Sequence, residues 1–564
     1  MTAPALRPGW SALERRLAIL LLFVGAALRL LQYLSNRSLW LDEAALARNI
    51  LDRSPWRLVS TPLDYVQTAT PGFLLAEKLV ATLAGGSEYA LRFIPLVLGL
   101  ISLPLFFAVA RRLLPPAAAL VALAMFAFSG RLIYYASEVK QYGPDVTVAL
   151  LFVWLMLTLR EHGFSRWRTA FMALAGAIAP WFSQPAIFIL AAAGLALVSG
   201  SLKFAPANFN EPDTGPGAVR WRDQRGLLHI LVLCVVWAMS SLVAVLVARR
   251  SLGAFEHEYM RSFWGEAGFI PYDAPLSLLR WPLDTVIRVL RDPFGSPVPP
   301  LAFAAIALGA AWLRKRDRIA LALLALPLAF LLAAVAVRAY PLGTDVSGFT
   351  KIGPARGRLL LFLLPAAFVV AAAGVAWLRE RGGVRARILA PLLAAALVVP
   401  PLYYAVAELP RRPEDVRPLL ERVAREARPG DLLWVFYGAA QQYRYYASRG
   451  AAPPVETTIG ACERPYWRRY LSQVDSLAGR GRVWLLFSHP ASVDGVHEGA
   501  LLRGYLDRRA RRVAEHGEKE AYLLLYDFSD TPRVASAATS ARTTNAPRVL
   551  ALAERCVGVF DASR

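Results

Sequence analysis

Hydrophobic positions along this chain are gathered into long blocks with few polar interruptions. The blocks run over 17–34, 90–110, 116–136, 143–159, 167–182, 185–200, 227–248, 300–313, 318–337, 358–378 and 386–407. An α-helix rises about 1.5 Å per residue, so about 20 apolar residues cross the ~30 Å hydrocarbon core of a bilayer. The pattern therefore predicts a polytopic α-helical membrane protein with about eleven crossings. Residues 71–84 are also apolar, but the stretch is short and carries Glu77 and Lys78. It predicts an interfacial or re-entrant helix. No small-residue cleavage site follows the first block, which is expected to be a retained span.

After residue 407 the pattern changes. Short apolar runs at 431–437, 482–488 and 521–528 predict buried strands, and 441–447 and 500–516 predict helices. The expected organisation is a transmembrane domain over 1–407 and a soluble α/β domain over 408–564. Residues 529–548, rich in Ser, Thr and Ala, predict a flexible loop or tail. No internal repeat is present.

Composition agrees with this pattern: 56% of the 564 residues are hydrophobic, 18% are charged, and the mean hydropathy is +0.41. A soluble protein is excluded. Charge adds orientation. The net charge of +22 is concentrated at Arg15–Arg16, Arg111–Arg112, 160–168, 203–225, 314–318 and 379–387, in alternate connections. The positive-inside rule places these and the N-terminus in the cytoplasm, where they meet anionic lipid rather than nucleic acid. Connections 35–89, 249–299 and 338–357, the short turn at 138–142 and the C-terminal domain then lie outside. The expected location is the cytoplasmic (inner) membrane, with the C-terminal domain extracytoplasmic. Three cysteines exclude a disulfide scaffold. Cys234, within a span, is expected to be an inert thiol, and Cys462 and Cys556, both in the outward domain, to form a single disulfide.

Candidate chemistry lies in the outward connections. Asp42 and Glu43 stand just beyond the first span, beside Trp40. They suit a helix N-terminus, and equally a general base held at the membrane surface. The second outward turn places Glu138, Lys140 and Tyr142 at the mouth between two spans, near Tyr134 and Tyr135. A surface ion pair in an aromatic belt is one reading; a reaction site is the other. Asp145 follows inside the span, where an ionisable group points to function by default. Lys351, Arg356 and Arg358 are basic on the outward side, against the orientation trend. They can anchor to headgroups or clamp a phosphate, for which Arg offers a planar fork of donors. His257, between two glutamates in the large outward loop, is a solvated loop residue or a ligand to metal or acceptor. No Walker A or Gly-rich dinucleotide fingerprint is present.

Together these elements resemble the GT-C superfamily of membrane glycosyltransferases, particularly bacterial relatives of the protein O-mannosyltransferases and of the lipid A aminoarabinose transferase. The resemblance rests on Leu41-Asp42-Glu43-Ala44, Gln67-Thr68-Ala69-Thr70-Pro71-Gly72-Phe73-Leu74, Ser87-Glu88-Tyr89-Ala90-Leu91-Arg92, Ser137-Glu138-Val139-Lys140-Gln141-Tyr142 and the stretch from Tyr340-Pro341-Leu342-Gly343 to Arg358-Leu359-Leu360-Leu361-Phe362. It implies a polyprenyl-phosphate-linked sugar as donor, a lipid, glycan or protein acceptor, and chemistry on the non-cytoplasmic face. Asp42 matches the family's catalytic base, with Glu43 supporting it, and Glu138 matches the acid of the second outward turn. Lys140 stands where many relatives have Arg, which keeps the charge and loses the fork. The expected reaction is inverting transfer, with Lys140, Arg356 and Arg358 stabilising the departing phosphate. Tyr142, Lys351 and His257 are further site candidates. No cofactor is assigned; a divalent metal between Asp42 and Glu138 is left open. The alternative is a transporter or flippase of a lipid-linked glycan, for which inverted repeats or paired broken helices would be expected.

Overall fold

The computed structural model describes residues 9–199, 224–250, 264–265, 268–343, 357–463, 466–493, 495–517 and 520–531. Every apolar block is helical, from Ala12–Leu34 to Gly383–Ala407. Among the described residues, seven helices are long and apolar enough to cross a membrane: Ala12–Leu34, Phe93–Leu113, Tyr142–His162, Gly226–Arg249, Arg318–Ala336, Arg358–Glu380 and Gly383–Ala407. The block at 116–136 is divided instead. Its first helix, Pro116–Phe128, stops at the extended Ser129, and a second helix, Gly130–Tyr135, turns toward the next span. Helix Pro71–Ala84 has 14 residues and ends on the left-handed Gly85. At about 1.5 Å per residue it falls short of the bilayer core.

The helix Leu364–Glu380 runs through the centre of the bundle and is buried on nearly every face. It packs tightly on Pro299–Arg316 because both present glycine at the crossing. A Cβ on Gly309 would lie 1.8 Å from the Val370 carbonyl oxygen, and one on Gly374 2.4 Å from that of Ala305. Such small-residue crossings let helix backbones approach in lipid, where no hydrophobic drive between helices is available. Outward-facing Phe23, Leu83, Leu246 and Leu392 form part of an exposed apolar belt.

The two ends of the bundle carry different connections. At one end Arg112 pairs with Glu161 at 3.5 Å, Arg160 with Asp317 at 2.5 Å and Arg316 with Glu380 at 3.0 Å. These loops are among those the positive-inside rule assigns to one side. The connection 35–89, the turn at 136–141 and the chain after Ala407 gather at the other end.

The C-terminal sheet contains β1 (Leu432–Val435), β2 (Glu456–Ile459), β3 (Arg482–Ser488), β6 (Arg511–Gly517) and β7 (Ala521–Asp527), in the order β2-β1-β3-β7-β6; a separate short hairpin pairs β4 (Ser492–Val493) with β5 (Val496–His497). Strands β2, β1 and β3 are parallel, and β7 runs antiparallel to β3 and β6. The sequence reading requires one correction here. The helix expected over 500–516 ends at Arg509, and Arg511–Gly517 is an edge strand with a bulge between Arg512 and Ala514. Its charged, exposed residues hide the strand period, and they also deter edge-to-edge pairing.

Alternation along the strands sends side chains to two cores. Leu432, Trp434, Leu485, Phe487 and Leu524 face the helices Trp467–Asp475 and Glu498–Arg509. Leu433, Val435, Trp484, Leu486 and Leu523 share a core with Leu39, Leu46, Ile50, Phe73, Leu91 and Val139 of the membrane part. The C-terminal domain is therefore packed onto the connection that carries Asp42. Cys234 is a free, partly buried thiol. The pairing expected for Cys462 falls outside the described residues at Cys556, as does most of the stretch 529–548.

Candidate active site

The chain leaves the first span extended and re-enters a helix at Leu41–Asp52, with Trp40 as N-cap. Asp42 and Glu43 occupy its first turn, where the macrodipole favours negative charge. Successive helical residues project about 100° apart, so the two carboxylates enter different surroundings.

Glu43 points into the bundle and is fully buried. It accepts from Arg92 Nε at 3.0 Å, Arg92 Nη2 at 2.8 Å, the Val139 N–H at 3.0 Å and Arg37 Nη1. Burial alone would raise its pKa; Arg37 and Arg92 outweigh that and hold it at about 2. Arg37 also donates to the Ser137 carbonyl at 2.9 Å and lies over the Tyr134 ring. Arg92 donates to the carbonyls of Arg37 and Ser38 at 2.7 and 3.1 Å. The cluster ties the connection 35–89, the start of the helix Phe93–Leu113 and the turn at 136–141 together. Its ligands are used internally.

Asp42 keeps 23% of its side-chain surface exposed. Its Oδ2 accepts from Arg358 Nη1 at 3.0 Å and lies 3.9 Å from Lys140 Nζ; Oδ1 stands 3.5 Å from Gln67 Nε2. Burial would raise the Asp42 pKa, but Lys140, Arg358 and, more weakly, His489 bring it down to about 2. Lys140 is held from the other side by Gln67 Oε1 at 2.6 Å, and its own pKa is lowered, by burial first and by Arg358. Arg358 opens a 3-10 turn, Arg358–Leu363, that leads into the central helix. Its guanidinium lies between the rings of Tyr142 and Trp264, 5.5 and 5.8 Å from their centroids. The preceding Gly357 has φ 64°, and a Cβ there would meet Pro293 at 2.4 Å, so only glycine permits this approach.

Glu138 is fully buried beside these two clusters, and neither carboxylate oxygen has a hydrogen-bond partner among the described residues. Burial and the charge of Glu43 raise its pKa to about 7, against Arg37, Arg358 and Lys140. Asp145, one helical turn beyond Gln141, is buried beside Ser183 within the span.

The structure thus brings together Asp42, Glu138, Lys140, Tyr142 and Arg358, and sends Glu43 to a neighbouring cluster. Lys351, Arg356 and His257 lie outside the described residues. The Asp42 carboxylate is already balanced by two cations, and no group of three or more His, Cys, Asp or Glu stands together among the described residues.

Sequence reasoning missed several contributors. Arg37 and Arg92 carried the signal already used for Arg358, basic residues in connections expected to face outward. The C-terminal contributors carried none. Asp415 accepts from the Ser38 N–H at 3.0 Å, Tyr446 Oη from the Leu39 N–H at 2.9 Å and Glu414 Oε2 from the Leu41 N–H at 3.1 Å, while Gln442 donates to the Leu39 carbonyl at 3.2 Å. The N–H groups of Ser38, Leu39 and Leu41 and the carbonyl of Leu39, all just before Asp42, are thus satisfied by the C-terminal domain.

Residues 68–205 match the family model of dolichyl-phosphate-mannose-protein mannosyltransferases. That segment contains Glu138, Lys140 and Tyr142. Comparison with curated proteins gives no match. Among solved structures, ArnT from Cupriavidus metallidurans in the apo state is similar with a TM-score of 0.47 and 14% identity, covering 90% of this chain and 97% of that one. ArnT bound to undecaprenyl phosphate is similar with a TM-score of 0.45 and 13% identity, covering 94% and 98%. The oligosaccharyltransferase AglB from Archaeoglobus fulgidus, in complex with an inhibitory peptide and a dolichol-phosphate, is similar with a TM-score of 0.45 and 12% identity, covering 93% and 75%.

Proposed function

We propose that this protein is an integral-membrane glycosyltransferase that moves a sugar from a polyprenyl-phosphate donor to a hydroxyl or amine acceptor at the outer face of the cytoplasmic membrane. The observation that carries the reading is the Asp42–Arg358–Lys140 cluster: a partly open carboxylate held between two buried cations, at the start of a span. Two cations at headgroup depth suit a phosphate monoanion or diester whose tail lies among the helices. Apolar side chains of Phe362, Leu363, Ala149 and Leu323 line a cavity that begins one turn beyond Arg358. The family model matching residues 68–205 describes enzymes named for a prenyl-phosphate-linked mannose donor, which supports the same donor class.

In this reading the donor phosphate takes over Lys140 and Arg358, and both release Asp42. A carboxylate at about pKa 2 is a weak base; freed from its cations it moves toward the range where proton acceptance is effective. Asp42 then takes the proton of the acceptor O–H or N–H. The acceptor atom bonds to the anomeric carbon, the bond from that carbon to the phosphate oxygen breaks, and polyprenyl phosphate leaves with the electron pair. Arg358 and Lys140 meet the charge that develops on the leaving oxygen. A direct displacement of this kind inverts the anomeric centre.

The test is to incubate the purified full-length protein in lipid nanodiscs with a panel of polyprenyl-phosphate-linked sugars. Release of polyprenyl phosphate with transfer to an added acceptor is expected for at least one donor. Movement of intact donor across sealed vesicles without bond cleavage would favour a flippase instead.

A further inference from the structure

Lys140 lies between two oxygens at unequal distances. Its Nζ donates to Gln67 Oε1 at 2.6 Å and stands 3.9 Å from Asp42 Oδ2, beyond hydrogen-bond reach. An ammonium only donates, so Gln67 turns its amide oxygen to Lys140 and its NH2 away. That NH2 donates to the Tyr65 carbonyl at 3.3 Å and stands 3.5 Å from Asp42 Oδ1. Gln67 is buried and neutral. A neutral amide thus keeps the ammonium close, while a carboxylate that attracts it more strongly is left across a gap.

The backbone before Gln67 sets this gap. Tyr65 and Val66 are both left-handed, with φ of 63° and 53°. A β-branched residue is a genuine outlier there. Strain of this kind persists only where the surroundings over-determine it, and it gathers where geometry matters to function. Here the surroundings are helix Leu41–Asp52, which carries Asp42 in its first turn. From its second half, Asn49 accepts from the Asp64 N–H at 2.8 Å and donates to the Asp64 carbonyl at 3.2 Å. Arg53, which caps the helix, pairs with the Asp64 carboxylate at 2.8 Å. Arg48 lies over the Tyr65 ring, 5.1 Å from its centroid, and donates to Gln441 of the C-terminal domain at 2.6 Å. Asp42 and Gln67 are therefore fixed to one frame.

We propose that Gln67 is a positioning residue: it holds the Lys140 ammonium off Asp42, so that the cation stays available to an incoming phosphate. Without the amide, the ammonium closes the remaining gap onto the carboxylate. Among the carboxylates that face Lys140, Asp42 attracts it most strongly, ahead of Glu138 and Glu43; Arg358 repels it. Glu43 is already held by Arg37 and Arg92. An ammonium in direct contact with a buried carboxylate forms a charge-assisted bond that a phosphate would have to break first. The bond to a neutral amide is weaker, and a phosphate oxygen replaces it at smaller cost. This rests on the function proposed above and assigns what keeps its phosphate clamp open.

The test measures the Kd for polyprenyl phosphate with full-length protein in nanodiscs, read by tryptophan fluorescence, since Trp264 lies beside Arg358. It compares wild type, Gln67→Ala, Asp42→Asn and the double variant. Gln67→Ala is expected to weaken binding about ten-fold, the scale of one hydrogen bond between charged groups that the phosphate must displace. In the Asp42→Asn background no carboxylate is there to capture the ammonium, and the same substitution changes Kd by less than about two-fold. Gln67→Glu puts a carboxylate on Lys140 directly and weakens binding in both backgrounds. Asn49→Ala, which frees the strained turn without touching Lys140, acts like Gln67→Ala but more weakly, and only while Asp42 is present. A residue needed only for folding, or one that touches the phosphate itself, costs the same with and without Asp42. Equal losses from Gln67→Ala in the two backgrounds, or no loss in either, therefore overturn the assignment. A wild type that binds polyprenyl phosphate no better than uncharged polyprenol overturns the proposed function itself.

Discussion

Asp42 and Glu43 are neighbours in the chain and carry the same chemical group, yet they serve two differently built regions. Glu43 sits in a closed cluster: two guanidiniums and two backbone N–H groups surround it, and no solvent reaches it. Asp42 sits in an open one, with a single hydrogen bond at ordinary length, one cation at 3.9 Å and a quarter of its surface uncovered. Both carboxyls are held at about pKa 2. The low value therefore does not separate them; coordination does. A carboxylate whose acceptor sites are saturated can only hold structure. One balanced by cations that another anion can attract away can change state during a reaction.

The comparison breaks most visibly at Glu43. Removing one partner of a buried ion pair leaves charge uncompensated, at a cost of about 3–5 kcal/mol. Glu43→Gln strands Arg37 and Arg92 in this way, so a large fall in Tm is expected in nanodiscs, and activity is lost with the fold. A Tm within a degree or two of wild type would mean that the cluster is not structural. At Asp42 the expectation reverses. Asp42→Asn keeps the volume and cannot accept a proton, so transfer falls at least about 100-fold while Tm barely changes. Turnover near wild type in that variant would remove Asp42 as the base.

Arg358 sharpens the contrast because it belongs to the open cluster alone. Arg358→Ala is expected to weaken donor use by about 1.5–3 kcal/mol, the worth of a charge-assisted hydrogen bond, with acceptor dependence unchanged. Arg358→Lys recovers the charge but not the fork, nor the stacking between Tyr142 and Trp264. It is expected to fall between alanine and wild type. Equal donor KM in all three proteins would make Arg358 a lipid anchor.

How far the sequence could be read follows the same division. The helices were legible because a 20-residue apolar block has few other uses, and the basic residues of connections expected to face outward were legible because they oppose the orientation trend. Asp42, Lys140, Glu138 and Arg358, spread over more than 300 positions, lie close together in the fold. The different fate of Glu43 was hidden, since it depends on a helical rotation of one residue and on Arg37 and Arg92, whose partner is named by no local pattern. The edge strand Arg511–Gly517 was hidden by its own charges. Most opaque was the C-terminal domain. Its alternating strands predict a sheet but do not say that Leu433, Val435 and Trp484 cover the loop before Asp42. Glu414 and His489 take their positions from left-handed turns that neither residue type announces.

Glu138 lies between the two regions and gives the smallest expected effect. It is buried like Glu43 but has no hydrogen-bond partner among the described residues, and burial with the nearby Glu43 charge raises its pKa to about 7, from an ordinary value of 4.5. Between those values the folded protein holds a proton that the unfolded chain has released. Stability contributed by this group is therefore complete below about pH 4.5 and declines as pH rises toward 7. One proton limits the slope to about 1.4 kcal/mol per pH unit. Glu138→Gln removes the titration and keeps the shape. The variant is expected to lose less stability than wild type between pH 5 and pH 6.5, and to be the more stable of the two at pH 8. Denaturant or thermal unfolding in the same lipid, followed across that range, measures the difference. Parallel curves for the two proteins would show that Arg37, Arg358 and Lys140 keep Glu138 ionised throughout, and would move it from the region between the clusters into the set of groups that balance the cations.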